Sequence, residues 1–274
     1  MVQAALLRLE DSTGILAAVG VLGFPATLIH GDPLVLDRWL WLKSRIPETN
    51  NGEKLIDIGC GTGAFSIGAA LRGYESLGLS WNTRNQTVAN QRAELCKAKS
   101  AKFEVLDVRK LDNRADFFGM YDVAICFENI EHITDDKKLI GDISATLKPG
   151  GRLLLTAPNL LYRPMTYEDK GPFSIIEDGG HVRRGYSKSM LMELCNSAGL
   201  VVEEFSYCSG FLSQKLCFIH RVLTKIHPLF GWFLILPLRA LPPFLDKLTY
   251  KITSWPYFSI CLEAYKPRFN QGSS

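Results

Sequence analysis

The sequence lacks the features that would assign it at once to several classes of protein. Its 31 basic and 28 acidic residues leave a net charge of only +3, which gives no argument for binding nucleic acid. Its seven cysteines are odd in number and scattered without a Cys-x-x-Cys pair, so neither a disulfide framework nor a zinc site is expected. Reduced thiols of this kind favour a cytoplasmic protein.

A targeting segment and long apolar runs are also lacking. Charged residues at Arg8, Glu10 and Asp11 interrupt the apolar N-terminal run, so a signal peptide is not expected. The apolar run from Leu229 to Leu236 is too short to span a bilayer. The remaining composition, with 274 residues of which 47% are hydrophobic, is that of a folded globular protein.

One stretch has a strong local pattern, in which the apolar strand Lys54–Ile58 runs into a glycine-rich turn and then into helical periodicity. Gly59, Gly61 and Gly63 lack Cβ atoms, so a ligand can lie against bare backbone. The helix that follows directs its first amides at such a ligand. Alone, the pattern predicts a nucleotide-like ligand. The carboxylate of Asp57, just before the turn, favours a ligand that carries a positive amine.

From Lys54 onward strands and helices alternate, which predicts an α/β fold with a parallel sheet and right-handed crossovers. The predicted strands are Lys54–Ile58, Glu75–Leu79, Lys102–Leu106, Tyr121–Phe127, Arg152–Thr156, Leu200–Tyr207 and Tyr257–Ala264. The predicted helices are Ala64–Arg72, Asn82–Lys97, Asp135–Leu147 and Ser187–Ala198, and a turn at Lys148–Gly151 precedes the fifth strand. Ligands of such sheets bind beyond the carboxyl ends of the strands.

Three regions of the chain differ in composition. Residues 1–46 are expected to form an N-terminal helical cap, in which Asp32 and Pro33 open a helix from Leu34 to Ile46. Residues 47–207 and 257–266 are expected to form the core domain. Residues 208–256 are expected to form an apolar, basic helical insertion between the last two strands.

Four motifs occur in the order and spacing of a known enzyme family: Asp57 with its glycines, Asp107, the segment Glu128–His132 and the turn Lys148–Gly151. On these motifs the chain resembles the class I S-adenosylmethionine (SAM) dependent methyltransferases. The resemblance implies a Rossmann-like, seven-stranded, mostly parallel sheet of order 3-2-1-4-5-7-6 with helices on both faces. It also implies SAM as the cofactor, bound by Asp57, Gly59, Cys60, Gly61, Gly63, Ser80, Trp81, Asn82, Asp107, Val108, Phe127 and Glu128.

The end of the second strand departs from the family pattern. The family usually has an acid there that accepts both ribose hydroxyls, whereas this chain has Ser80. Ser80 or Asn82 could bond a hydroxyl less strongly, since both are neutral, and Trp81 could pack on the adenine. The alternative is a helix N-cap at Ser80 or Asn82 with Trp81 in the core. The missing acid also disfavours a nicotinamide dehydrogenase.

The segment Glu128–His132 lies beside the reacting methyl group in the resembled fold. His132, with Glu131 next to it, has the unperturbed pKa of a general base. Glu128, Glu131 and His132, with the distant His181, also resemble the divalent-metal set of small-RNA 2′-O-methyltransferases and ubiquinone-pathway catechol O-methyltransferases. A metal such as Mg²⁺ would lower the pKa of the acceptor hydroxyl. In the alternative without metal, these residues only shape an acceptor pocket, which Tyr162, Tyr167 and Tyr186 could also line.

The insertion 208–256 interleaves six basic residues with aromatic and aliphatic ones and contains a single acid. This composition is typical of a segment that lies on a membrane surface. A cover for a hydrophobic acceptor and a homodimer interface are alternatives. Binding of nucleic acid is not favoured, because the basic residues lie among many aliphatic ones.

These patterns together predict a SAM-dependent methyltransferase, cytoplasmic or membrane-associated, that methylates a hydroxyl oxygen of a small-molecule or lipid-like acceptor. Three alternatives stay open: C- or N-methylation of a natural product or lipid, methylation of an RNA 2′-hydroxyl, and an inactive SAM-fold binding protein.

Overall fold

A single seven-stranded sheet forms the centre of the protein, whose computed structural model describes residues 16–29, 32–165, 168–226, 231 and 234–268. The strand order is β3-β2-β1-β4-β5-β7-β6, with β7 antiparallel to both neighbours and the other pairs parallel. The strands are β1 Lys54–Ile58, β2 Glu75–Ser80, β3 Ala101–Val105, β4 Tyr121–Phe127, β5 Leu147–Pro158, β6 Val201–Cys208 and β7 Ser259–Tyr265. The predicted fold class and strand order are confirmed.

Helices cover both faces of the sheet. They are α1 Phe24–Ile29, α2 Val35–Lys43, α3 Ala64–Ala70, α4 Thr83–Leu95, α5 Asp136–Thr146, α6 Lys188–Ser197, α7 Phe211–Ile226 and α8 Pro242–Thr253. Residues 16–22 are also helical, and 3₁₀ turns occupy Val108–Asn113, Ala115–Phe117, Ile130–His132, Glu168–Lys170 and Leu236–Leu238. The four helices predicted within the sheet region, α3 to α6, end within two residues of their predicted bounds.

The core lies in two layers because successive residues of a strand point to opposite faces. In β1, Ile56 and Ile58 pack in one cluster with residues of α5 and α6. Leu55 packs in the other cluster with residues of α2 and α3. Asp57 follows the same alternation, so its carboxyl points to the face that α3 covers.

The turn predicted at Lys148–Gly151 lies inside β5, which corrects the predicted start of that strand. Gly150 has a φ of +84°, and its amide donates to the Lys266 carbonyl over 2.7 Å. The pairing of β4 with β5 shifts register between Tyr121 and Val123. The glycines therefore form an irregular, bulge-like stretch that changes register while the chain stays hydrogen-bonded in the sheet.

The N-terminal cap begins outside the described residues, since residues 1–15 are not among them. The helix predicted from Leu34 to Ile46 is shorter than predicted: α2 starts at Val35 and ends at Lys43. Asp32 accepts a hydrogen bond from the Leu34 amide over 2.9 Å, one turn before the helix. Buried residues of α2, among them Trp39 and Leu42, hold it against the sheet.

The insertion between β6 and β7 contains α7 and α8, which pack against each other. Cys208 at the end of β6 and Pro158 at the end of β5 both pair with Ser259, the first residue of β7. The insertion therefore leaves and rejoins the sheet at the edge where the parallel strands have their carboxyl ends. Among the described residues, no helix combines the length and the apolar character that crossing a membrane requires.

Candidate active site

A cleft of about 250 Å³ opens beyond the carboxyl ends of the central strands. Its walls come from the turns after β1, β2, β3 and β4 and from the loop before α6. The lining residues are Gly59, Gly61, Ser80, Trp81, Asn85, Asp107, Val108, Arg109, Glu128, Asn129, His132, Ile133, Glu177 and Gly179. Eight of these were predicted as site residues; Asn85, Arg109, Asn129, Ile133, Glu177 and Gly179 were not.

The glycine turn forms the floor of the cleft, as its sequence predicts. Gly59 and Gly61 have φ values of +86° and +52°. A Cβ atom on Gly59 would lie 2.5 Å from the side chain of Asn129, whereas one on Gly61 would meet nothing within 4 Å. Asn129 thus packs directly on bare backbone at Gly59. The close approach explains why this position needs glycine, and the glycine itself is the sequence signal that another group approaches the backbone here.

Four predicted cofactor residues lie behind the cleft wall. Asp57 is 1% exposed and accepts a hydrogen bond of 2.7 Å from the Ser66 hydroxyl in α3. Burial raises the pKa of Asp57 to about 7, and the Ser66 bond opposes part of that rise. The thiol of Cys60 faces Gln86 at 3.7 Å, and Phe127 packs edge-on against Phe65. Gly63, with a φ of +81°, caps α3.

The three residues of the turn after β2, Ser80, Trp81 and Asn82, were each predicted either to bind the cofactor or to have a structural role, and the structure places each of them differently. Asn82 is the N-cap of α4, since its side chain accepts from the amides of Arg84 and Asn85 at 2.9 and 3.2 Å. Trp81 is 63% exposed and lines the cleft, so the alternative of a core tryptophan is wrong. Ser80 lines the cleft with a neutral hydroxyl, where the family pattern has an acid.

The turn after β3 carries Asp107 and Val108, both in the cleft wall as predicted. Arg109 donates hydrogen bonds of 2.6 to 3.1 Å from Nε and Nη2 to the carboxylate of Asp107. Its Nη1 donates over 2.6 Å to Glu177, which also accepts from the Thr134 amide. These charged bonds hold the pKa of Asp107 below its usual range. The bond between Arg109 and Glu177 therefore joins the turn after β3 to the loop before α6 across the cleft.

Glu131, His132 and His181 come together beside the cleft, which His132 lines. One potential ligand atom from each lies within 4.8 Å of the others. His132 Nε2 and His181 Nε2 lie 3.9 and 4.0 Å from Glu131 Oε1. His132 Nδ1 donates to the Gly180 carbonyl over 2.9 Å, since a carbonyl can only accept, and this leaves a lone pair on Nε2.

Burial controls the charge of this cluster. Glu131 is 1% exposed, and burial, with the nearby Glu128 charge, raises its pKa well above the ordinary value. Its Oε2 is buried without a hydrogen-bond partner in the described part of the chain. Burial and the neighbouring His132 lower the pKa of His181 to about 4, so this imidazole is neutral near pH 7. The cluster thus offers one unpaired carboxyl oxygen and a neutral imidazole at His181, with His132 Nε2 facing the same carboxyl.

Glu128, the fourth residue of the predicted metal set, points elsewhere. Its Oε1 accepts from the Ser259 hydroxyl over 2.9 Å, and its Oε2 lies 3.3 Å from Arg38 Nη2. Its φ of +46° is unusual for a residue with a side chain. The structure therefore brings together three of the four predicted ligands and engages Glu128 with Arg38, a residue that sequence reasoning did not single out.

Two of the three tyrosines that were predicted to line an acceptor pocket instead hydrogen-bond inside the protein, beneath the loop before α6. The Tyr186 hydroxyl lies 2.9 Å from Asp136 and 3.2 Å from the Ile130 carbonyl, and its ring is fully buried. The Tyr162 hydroxyl donates to the Asp169 carbonyl over 3.0 Å. Neither lines the described cleft. Tyr167 lies outside the described residues.

Comparison with known proteins identifies the family. The family model of a methyltransferase domain matches residues 36–204, more than half of the chain. The chain belongs to this methyltransferase family. The predicted family and its cofactor, SAM, are thereby confirmed, and the matched range contains β1 to β5 and every residue of the cleft.

Curated relatives of this chain include ubiquinone biosynthesis O-methyltransferases. The chain is 26% identical to the one from Marinobacter nauticus over 159 residues, which are 57% of the chain and 66% of the relative. It is 30% identical to the one from Acinetobacter baylyi over 108 residues, or 39% of the chain and 44% of the relative. The chain thus matches less than two thirds of the length of these relatives.

Solved structures share the fold of this chain at low identity. A phosphoethanolamine N-methyltransferase from Haemonchus contortus, solved with SAM, has a TM-score of 0.60 at 19% identity, over 94% of this chain and 57% of that one. A [4+2]-cyclase, SpnF, has a TM-score of 0.59, also at 19% identity, over 85% and 82% of the two chains. Such likeness shows the fold, and a cyclase among the neighbours shows that the fold alone does not fix the reaction.

Proposed function

We propose that this protein transfers a methyl group from SAM to a hydroxyl oxygen of a small or amphiphilic acceptor. The observation that carries the proposal is the cluster of Glu131, His132 and His181, of which His132 lines the cleft. Deprotonation of a hydroxyl needs a base or a Lewis acid at the reacting oxygen, and this cluster provides groups for both. The names of the curated relatives, which are O-methyltransferases, agree with it.

The cleft itself is the proposed site of SAM. The bare backbone at Gly59 and Gly61 lets the ligand lie against the turn after β1. Trp81 and Val108 offer apolar surface to an adenine ring, and Asp107 offers an acceptor for its amino group. Ser80 provides a neutral partner for a ribose hydroxyl. When bound, SAM supplies an activated methyl group for an in-line displacement, in which proximity and exclusion of water provide much of the rate.

His132 is the proposed general base. Its Nδ1 proton is held by the Gly180 carbonyl, so the ring orientation is fixed and the Nε2 lone pair faces the cluster. An acceptor hydroxyl within hydrogen-bond reach of Nε2 can pass its proton to this nitrogen. Glu131, buried beside it, can then pair with the imidazolium that forms, since a positive charge at this distance favours the ionised form of its carboxyl.

The same cluster fits a divalent metal. The fit rests on the buried, unpartnered Oε2 of Glu131 and on the two imidazoles whose Nε2 atoms face Glu131. A carboxylate with two histidines leaves coordination positions for the oxygens of an acceptor. We propose that Glu131, His132 and His181 would hold the ion and that Glu128 would not. A bound metal would supply Lewis acidity that lowers the pKa of an acceptor hydroxyl.

Metal analysis of the purified protein tests the ligand set independently of activity. Glu131→Gln and His181→Ala are each expected to lower the bound Mg²⁺ or Mn²⁺ at least about ten-fold. Glu128→Gln is the matched control and is expected to retain the metal. If the wild type binds no metal and still transfers methyl groups fully in excess chelator, the metal proposal is contradicted. His132 would then act as the base without a metal. Loss of metal in Glu128→Gln would contradict the proposed ligand set.

Incubation with methyl-labelled SAM tests the reaction. A catechol is expected to yield a labelled methyl ether, and His132→Ala is expected to slow this reaction by roughly a hundred-fold or more. His220→Ala, in the insertion, is the control histidine variant. Label on carbon or nitrogen, or on RNA alone, would contradict O-methylation of a small acceptor. Calorimetry that shows no binding of SAM at millimolar concentration would instead indicate an inactive SAM-fold protein.

A further inference from the structure

The helices α7 and α8 of the insertion between β6 and β7 each bury polar side chains and expose apolar ones. On α7, Ser213, Gln214 and Cys217 are buried. The opposite face of the same helix exposes large apolar side chains, namely Phe218, Ile219, Val222 and Ile226, the last of them 73% exposed. An ordinary helix of a globular protein buries its apolar stripe and exposes its polar one. The helix α7 does the reverse.

The helix α8 repeats the reversal. Asp246 is one of its two buried residues, with 4% exposure. Apolar residues spaced by three or four positions are exposed on one side: Leu241 just before the helix, then Phe244, Leu245, Leu248 and Ile252. Phe244 and Ile252 are each 75% exposed. The two packed helices therefore present a surface of nine apolar side chains, named here the apolar face.

Hydrogen bonds fix this orientation. Asp246 accepts from the amides of Gly210 and Leu212 at 2.8 and 2.7 Å and from the Ser213 hydroxyl at 2.6 Å. The Gln214 side chain donates to the carbonyls of Ser209 and Pro256. Rotating either helix to bury its apolar stripe would break these buried bonds, and each unpaired group would be costly. The apolar face is thus held outward by the fold.

The charge around the apolar face has one sign. Asp246 is the single acid of residues 208–256, and it is buried. Lys215 and Lys225 on α7, and Lys247 and Lys251 on α8, are exposed. Lysines beside exposed aliphatic side chains can lay their stems along apolar material and hold their ammonium groups at a more polar level. An apolar and cationic surface, whose own segment contributes no exposed carboxylate, complements an anionic lipid headgroup layer above an acyl layer.

We propose that the apolar face docks on a bilayer that contains anionic lipid. A second copy of this chain fits less well, because a two-fold contact through the same face would bring lysines toward lysines with no carboxylate from this segment to pair them. In a bilayer, Phe244, Leu248 and Ile252 enter the acyl boundary while Lys247 and Lys251 meet lipid phosphates.

The helix α7, which carries part of the apolar face, contacts on its other side the loop that leads to the candidate active site. The insertion starts and ends at the carboxyl edge of the sheet, and Cys217 of α7 packs in a cluster with Tyr162 and Phe258. Arg221 of α7 lies 3.5 Å from Asp169, in the loop that leads to His181. If the acceptor is amphiphilic, which rests on the proposed function, it dissolves in the bilayer. Docking would then bring the cleft close to the layer that contains the acceptor.

Vesicle flotation without SAM or acceptor tests the docking separately from the reaction. Full-length protein is mixed with vesicles of phosphatidylcholine alone or with about one third phosphatidylglycerol. Binding is expected on the anionic vesicles and is expected to weaken with salt. Phe244→Ser combined with Ile252→Ser should lower the bound fraction at least about ten-fold. Phe118→Ser, 44% exposed just before β4 at the opposite edge of the sheet, is the matched control and should bind as the wild type does.

Lys247→Gln combined with Lys251→Gln should lower binding to anionic vesicles and reduce its salt dependence. Circular dichroism and thermal unfolding establish that each variant is folded. The proposal is overturned if the folded wild type fails to float with anionic vesicles, or if it and the Phe244→Ser/Ile252→Ser variant float equally. Ultracentrifugation that shows a dimer lost in that variant would assign the face to a second copy. Since the assay contains no SAM, none of these results bears on methyl transfer.

Discussion

Asp57 fits the sequence motif of a cofactor-binding residue, but its side chain is buried behind the cleft wall. Its position before the glycine turn suggests contact with a ligand amine, but the strand alternation puts its carboxyl under α3, with Ser66 as its hydrogen-bond partner. Burial holds its pKa near 7, above the ordinary value of 3.8. Between these values the folded protein keeps a proton that the unfolded chain releases, so ionisation opposes folding as the pH rises.

The free energy of unfolding is therefore expected to fall between pH 4 and pH 7 in the wild type. Asp57→Asn, which keeps an acceptor for Ser66, should remove up to about 4 kcal/mol of that fall. The rest of the fall should persist, because burial also raises the pKa of Asp37, to about 7, and that of Glu131. Urea unfolding across the pH range measures the slope, with the half-exposed Asp112→Asn as control. An unchanged slope in Asp57→Asn would show that Asp57 is ionised in the folded protein.

Gly59 gives a second prediction at the scale of one residue. A Cβ atom there would lie 2.5 Å from Asn129, and the φ of +86° is strained for any side chain. Gly59→Ala should lose about 1–3 kcal/mol of unfolding free energy and bind SAM at least about ten-fold more weakly. Gly119→Ala, at a φ of +64° with no neighbour within 4 Å, isolates the backbone cost. Equal losses in the two variants would mean that the Asn129 contact is unimportant.

At the scale of elements, strands and helices were predictable because their periodicity is local. The run Tyr121–Phe127 is apolar except for Asp122 and is β4 at those bounds, since a central parallel strand is buried on both faces. The bond between Arg109 and Glu177 was not predictable. It joins residues 68 positions apart, and Glu177 lies in an irregular loop with no periodicity. Likewise, the sequence grouped Glu128 with Glu131, but Arg38 and Ser259 draw its carboxylate away.

The bond between Arg109 and Glu177 is expected to control exchange of SAM. Glu177 contacts both Arg109 and the Thr134 amide across the cleft, so Glu177→Gln weakens the tie while preserving size. Dissociation of SAM should become about ten-fold faster, because a charged hydrogen bond is lost. Stopped-flow displacement measures the rate. Asp178→Asn removes a neighbouring charge that contacts the Gly180 amide instead and should leave the rate unchanged.

For the whole molecule, an ion network links the N-terminal cap to the last strand. Arg45, just after α2, lies 3.4 Å from Glu263 of β7 and 3.1 Å from Glu204 of β6. Arg152 of β5 donates to Glu263 over 2.8 Å and to the Arg45 carbonyl over 2.9 Å. Glu263 is 8% exposed, so two arginines from distant parts of the chain share one buried carboxylate.

Removing the charge of Glu263 should therefore destabilise the whole fold. Glu263→Gln leaves Arg45 and Arg152 without their shared partner, and we expect a loss of about 2–4 kcal/mol in the free energy of unfolding. Glu204→Gln is the matched control. The Glu204 side chain is 53% exposed, and its loss should cost under about 1 kcal/mol. Urea unfolding gives both values. Similar small losses in the two variants would show that the cap is held by the packing of Trp39, Trp41 and Leu42 and not by the ion network.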